Sequence, residues 1–257
     1  MSNRLSLLRL AFLLLLMAAA SASANNLPTT IDHIRGSIVG VGMVAKNGRQ
    51  LKTTFVGTGF VVGDGSRIIT NYHVYRSIEE MMNPDSYVAV FSGRGASATV
   101  HGVRLERADM SHDLALLRLK GAQLPAMKLA GDGFLREGED VAFTGFPIGM
   151  VLGLYPVTHR GMISVITPIV IPADSAKKLT AAQIKRIREK RFEVYQLDGT
   201  AYPGNSGSPV YEIDSGEVIG VINSVFVKGT KEAALEDPSG ISYAIPVKYV
   251  RYLLRGE

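Results

Sequence analysis

The stretch SIVGVGMVAKNGRQLKTTFVGTGFVVGDGSRIITNYHV, Ser37 to Val74, carries the first evidence of the fold. Ser37 to Ala45, Thr53 to Val62 and Arg67 to Thr70 are short runs rich in Val, Ile, Thr and aromatic residues. Lys46-Asn47-Gly48 and Gly63-Asp64-Gly65 separate them, and such residues turn a chain sharply. The same alternation continues downstream. Tyr87 to Phe91 is followed by the turn Ser92-Gly93-Arg94-Gly95, and Leu114 to Leu119 is a nearly continuous apolar run. Val141 to Gly145, Gly161 to Ile166, Val194 to Leu197, Pro209 to Ile213, Val218 to Val227 and Ile241 to Ile245 complete the series. Many short strands at regular spacing with Gly-rich turns predict an all-β sandwich or barrel.

Two helices are expected among the strands. In the insert Pro172 to Glu193, Thr180 to Gln183 has capping-box form. Ile184, Ile187 and Phe192 follow at roughly helical spacing amid Lys185, Arg186, Arg188, Lys190 and Arg191. This basic helix reads as a solvated one packed by Ile184 and Ile187, or as a surface for an acidic partner or a membrane. At the end, Val247 to Glu257 places Val247, Val250, Leu253 and Leu254 on one face.

The 257 residues, 46% of them hydrophobic and 20% charged, are ordinary globular chemistry and exclude wholesale disorder or a fibrous repeat. With no cysteine, disulfides, thiolate metal sites and a cysteine nucleophile are excluded together. A net charge of +5, with no basic stretch interleaved with aromatics, does not point to nucleic acid. At the N-terminus, Arg4 and Arg9 precede the apolar run Leu10 to Ala20, and Ala22-Ser23-Ala24 has the small-x-small form of a signal-peptidase site. A run of that length is shorter than the roughly 20 residues a membrane span needs. The expectation is therefore a signal peptide over residues 1–24 and export to the bacterial periplasm or exterior, with no stable membrane anchor after cleavage.

The chemistry lies in three separated segments. Gly204-Asn205-Ser206-Gly207-Ser208-Pro209 sets a serine between glycines, so that successive backbone N–H groups can face one concavity. An acyl transfer needs such donors for its oxyanion. The oxyanion hole is expected from Gly204, Asn205 and Ser206, with the amides of Gly204 and Ser206 as the donors. Thr70-Asn71-Tyr72-His73-Val74 closes an apolar strand on a histidine, and Ser111-His112-Asp113 sets an acid directly before another. A hydroxyl nucleophile needs a base, and the base needs a carboxylate to hold its tautomer. Asp109 is a nearby competitor for the acid role. His33, His101, His112 and His159 read as satisfied or solvated residues.

With Gly57-Thr58-Gly59-Phe60-Val61-Val62, these segments form four ordered motifs that resemble the chymotrypsin-fold serine proteases, in particular the bacterial HtrA/Deg-like branch. The resemblance implies two six-stranded antiparallel β-barrels across residues 25–257, the second beginning near residue 135, with the site in the cleft between them. It further implies His73 as general base, Asp113 as its orienter and Ser206 as nucleophile, acting on protein or peptide substrates without metal or other cofactor. By the same likeness Thr200 lies at the base of the specificity pocket, Ile222, Asn223 and Ser224 edge it, and Ile241 projects into it. A neutral Thr200 and a bulky Ile241 predict a shallow apolar pocket for small or medium aliphatic side chains. The segment Asn223 to Val225 would pair with substrate backbone.

Three departures stand out. HtrA/Deg enzymes usually carry PDZ domains, and this sequence shows none. Asn205 replaces the aspartate that pairs with a freed N-terminus in zymogen-activated relatives, and the insert Pro172 to Glu193 is long. An alternative is a catalytically weak binding or chaperone module on the same fold. An α/β-hydrolase esterase is disfavoured, because Gly204-Asn205-Ser206-Gly207 has the wrong spacing and the histidine comes first.

Overall fold

A computed structural model describes residues 26–47, 50–147, 153–168, 192–223 and 240–256. The expected signal peptide, nearly all of the basic insert, and Ser224 lie outside these residues. The described chain forms two closed antiparallel barrels of six strands each. The first contains β1 (Ile38–Asn47), β2 (Gln50–Val62), β3 (Arg67–Asn71), β4 (Ser86–Ser92), β5 (Thr99–Asp109) and β6 (Leu114–Leu119), in the spatial order β1-β2-β3-β6-β5-β4. The second contains β7 (Asp140–Gly145), β8 (Val157–Pro168), β9 (Glu193–Asp198), β10 (Pro209–Glu212), β11 (Val218–Asn223) and β12 (Ile241–Pro246), in the order β10-β11-β12-β9-β8-β7. Residues 120–139 link the two. Three helices accompany them: α1 (Leu27–Ile34), α2 (Tyr72–Met81) and α3 (Val247–Arg255). Among the described residues, no helix is long and apolar enough to cross a membrane.

Strand β6 shows why the sequence reads as it does. Ala115, Leu117 and Leu119 point into the first barrel with Val41, Val61 and Ile68. Leu114 and Leu116 point the other way, into an apolar cluster that joins both barrels through Phe60, Ile69, Tyr211, Val221 and Ile245. A strand buried on both faces has no polar side to show, so its apolar run is continuous. Each fully buried leucine contributes roughly 1.5–3 kcal/mol. The second barrel closes around Val141, Phe143, Ile163, Tyr195, Leu197, Val210 and Ile222.

The structure adds elements that periodicity did not reveal. β5 (TVHGVRLERAD) has one fully buried residue, Val103, so it lacks an apolar stripe. Strand pairing holds it between β4 and β6. Helix α2 is ten residues long and buries only Val74 and Ile78, one turn apart. α3 ends at Gly256, whose φ of 84° closes the helix in the left-handed region. Its buried face is Val247, Tyr249, Val250 and Leu253, with Leu254 only half-buried.

Candidate active site

β3 runs directly into α2, and His73 is the second residue of that helix. Asp113 sits in the turn just before β6, with φ of 52°, the one non-glycine residue with positive φ among those described. This left-handed backbone is tolerated by aspartate and aims the carboxyl back at α2. His73 Nδ1 lies 2.6 Å from Asp113 Oδ2, and the His73 backbone N–H donates to Oδ1 at 2.8 Å. Tyr72 N–H and Asn71 Nδ2 donate to the Asp113 carbonyl, both at 3.1 Å, so the turn and the start of the helix are laced together. With Nδ1 directed at the carboxylate, the ring keeps Nε2 for another partner.

A third donor to this carboxylate comes from the second barrel. Asn223, at the end of β11 and fully buried, donates from Nδ2 to Asp113 Oδ2 at 2.7 Å. Asn223, expected at the edge of the specificity pocket, thus directs its side-chain amide at Asp113. Ile222, expected at the same edge, is fully buried in the core of the second barrel. Strand alternation explains both placements, since neighbouring side chains leave a strand on opposite faces. Of the other residues expected at the pocket, Thr200 is half-buried and Ile241 is 43% exposed at the start of β12. Ser242 stiffens the base of this region, accepting from Ala201 N–H and donating to the Gly199 carbonyl.

Asp109 is occupied elsewhere. It lies 2.6 Å from His112 Nδ1, and its other oxygen accepts from the N–H groups of Ser111 and His112. His112 in turn stacks on Tyr249 of α3, with ring centroids 3.9 Å apart and an angle of 19°, while Phe192 meets it edge-on. This second His–Asp pair fixes the turn that presents Asp113.

Ser206 is 5% exposed on the turn between β9 and β10. Gly204 and Gly207 have φ of 98° and 87°. A side chain at Gly207 would drive into the Thr58 carbonyl, at 2.0 Å. The turn is held from several sides. Asn205 N–H donates to the Tyr202 carbonyl, Gly207 N–H to Ile222, and Ser208 N–H to Asn205. The amide of Asn205, which lies between the two expected donors, is therefore spent inside the turn. Ile222 N–H returns a bond to the Ser208 carbonyl at 2.9 Å, so the serine turn is fastened to β11 one residue before Asn223 reaches Asp113. Behind the turn, the fully buried Asn205 places Nδ2 3.5 Å from His159 Nε2. His159 stacks on Phe143, and burial pushes its ring below the usual 6.5.

The sequence profile of the trypsin-like peptidase domain matches residues 57–221, a span running from within β2 to the strand that carries Asn223. The chain belongs to the trypsin-like peptidase family. The chain is also 34% identical over 198 residues to the mitochondrial serine protease HTRA2 of Drosophila pseudoobscura pseudoobscura. It is likewise 34% identical to HTRA2 of Drosophila willistoni. These alignments take in 77% of the domain's chain and 37–38% of the relatives, so the chain spans about two fifths of their length. Among solved structures it is similar to the Rv3671c protease of M. tuberculosis in its active form, with a TM-score of 0.61 at 21% identity. That match covers 90% of this chain and 84% of the other. It establishes the shared two-barrel fold and agrees with the chymotrypsin-like architecture expected from the motifs.

Proposed function

We propose that the chain is a serine endopeptidase that cleaves peptide bonds through an acyl-enzyme, with Ser206 as nucleophile, His73 as general base and acid, and Asp113 as orienter. The observation that carries this reading is the 2.6 Å contact of His73 Nδ1 with Asp113, reinforced by Asn223 from the opposite barrel. A carboxylate accepting from the His73 ring, the His73 backbone and Asn223 is built to stay an acceptor and to stabilise an imidazolium. His73 Nε2 then takes the proton of Ser206 Oγ as that oxygen attacks the substrate carbonyl carbon. The resulting oxyanion is met by the N–H groups of Gly204 and Ser206. As the tetrahedral intermediate collapses, the imidazolium gives its proton to the departing amine. Water, deprotonated by the same ring, then releases the acyl group.

The half-buried Thr200 and the exposed Ile241 at the pocket support cleavage after small or medium aliphatic residues. The N-terminal leader supports export and processing after Ala24, with action in the periplasm or outside the cell. A fluorophosphonate should label Ser206 in the purified protein. Ser206→Ala should abolish labelling and lower peptide turnover by roughly 10⁶-fold, as in comparable triads. A well-folded protein that neither labels nor cleaves would make the chain a binding module on a protease fold.

A further inference from the structure

We infer that Thr58, on β2, is a positioning residue that sets the orientation of the oxyanion-binding turn across the barrel boundary. The inference rests on the reading of Ser206 as nucleophile. Thr58 is fully buried and uses every polar atom it has. Its hydroxyl donates to the Gly204 carbonyl at 2.7 Å and accepts from the Phe146 N–H at 3.0 Å. Its backbone N–H donates to the Ser206 carbonyl at 2.9 Å, and its carbonyl accepts from Thr70 Oγ1 at 2.7 Å. One residue of the first barrel therefore holds the carbonyls on both sides of Asn205, while Thr70 and Phe146 hold that residue in place.

The bonds fall on alternate peptide planes. The plane between Gly204 and Asn205 is fixed at both ends, by Thr58 Oγ1 on its oxygen and by Tyr202 on its N–H. The plane between Ser206 and Gly207 is fixed in the same way, by Thr58 N–H and by the Ile222 carbonyl. The N–H groups of Gly204 and Ser206 belong to the intervening planes. Planar peptide units linked at Cα transmit direction, so fixing the alternate planes aims these two N–H groups. Gly204, with φ of 98°, has no side chain to restrict its own rotation. Among the described residues, the Thr58 hydroxyl is the group of the first barrel that holds the Gly204 carbonyl, and its removal frees that end of the peptide. The peptide can then rotate and turn its neighbour's N–H out of line with the developing charge.

The test compares the wild-type protein with Thr58→Val, which keeps the shape but loses the hydroxyl, and Thr58→Ser, which keeps the hydroxyl. Thr58→Val should lower kcat by about ten- to a hundredfold, less than outright loss of an oxyanion donor, with KM for the same peptide changed less than about threefold. Thr58→Ser should recover most of that loss. Amide resonances of Gly204, Asn205 and Ser206 in ¹⁵N–¹H spectra should shift and broaden in Thr58→Val alone. If Thr58→Val does not fold, Thr58→Ala, which also lacks the hydroxyl, takes its place with the same readouts. Wild-type kcat in a folded Thr58→Val, a loss confined to KM, or equal losses in the serine and valine variants would overturn the proposal. Fluorophosphonate labelling of wild-type Ser206 tests the peptidase reading separately. If wild type fails to label while Thr58→Val still perturbs the Gly204 resonance, the enzyme assignment falls and the clamp stands.

Discussion

At the scale of single residues, Asn223 is the group the motifs concealed. Nothing near it in the chain suggests a partner 110 positions away, and asparagine at a strand end reads as a polar edge residue. His73, Asp113 and Ser206 stood out in the sequence because the roles proposed for them demand glycine-flanked or strand-terminal settings that are visible locally. A hydrogen bond to a charged group contributes about 1.5–3 kcal/mol, so Asn223→Ala should reduce kcat by about ten- to a hundredfold in a peptide assay. Asn223→Asp, equal in size but bringing a like charge against Asp113, should be worse than alanine. A second test concerns His159. Burial lowers its pKa below 6.5, so the unfolded chain takes up a proton more readily than the folded one. Its contribution to stability is therefore complete above about pH 6.5 and is lost as pH falls below that value. His159→Phe should flatten this part of a plot of melting temperature against pH, as followed by circular dichroism.

At the scale of elements, β5 shows what pattern alone misses. Its place depends on pairing with β4 and β6, and its half-exposed residues carry charge in place of an apolar stripe. One of those charges fastens three adjacent strands. Glu106 on β5 accepts from Arg118 on β6 at 2.7 Å and from Arg67 on β3 at 2.9 Å. Burial opposes its ionisation, but these two hydrogen bonds and the charges of both guanidinium groups together outweigh burial and hold the carboxyl below its ordinary 4.5. Glu106→Gln should cost about 1.5–3 kcal/mol in chemical denaturation at neutral pH. The difference should shrink as acid protonates the wild-type carboxyl, because a depressed pKa gives stability only above the unfolded value. Helix α2 was hidden for a related reason, since two buried residues make too narrow a stripe to stand out beside the histidine motif.

At the scale of the whole molecule, Asp113, His73 and the serine turn belong to different parts of the fold. Strand spacing alone left a sandwich or a barrel open, and the resemblance of the motifs supplied the two closed barrels, whereas their mutual placement follows from side chains that cross between them. Asn223 on Asp113, Thr58 on the serine turn and Arg107 of β5 on the carbonyls of Leu253 and Leu254 are such crossings. Strand β6, buried on both faces, bears on how the protein dies when heated. Asp113 is the residue immediately before a segment that neither half can surrender while remaining intact, so the proposed site has no weak corner of its own to fray first. Loss of labelling by the fluorophosphonate on warming should then coincide with the calorimetric transition. An inactivation curve several degrees below it would mean that the centre loosens independently of its scaffold.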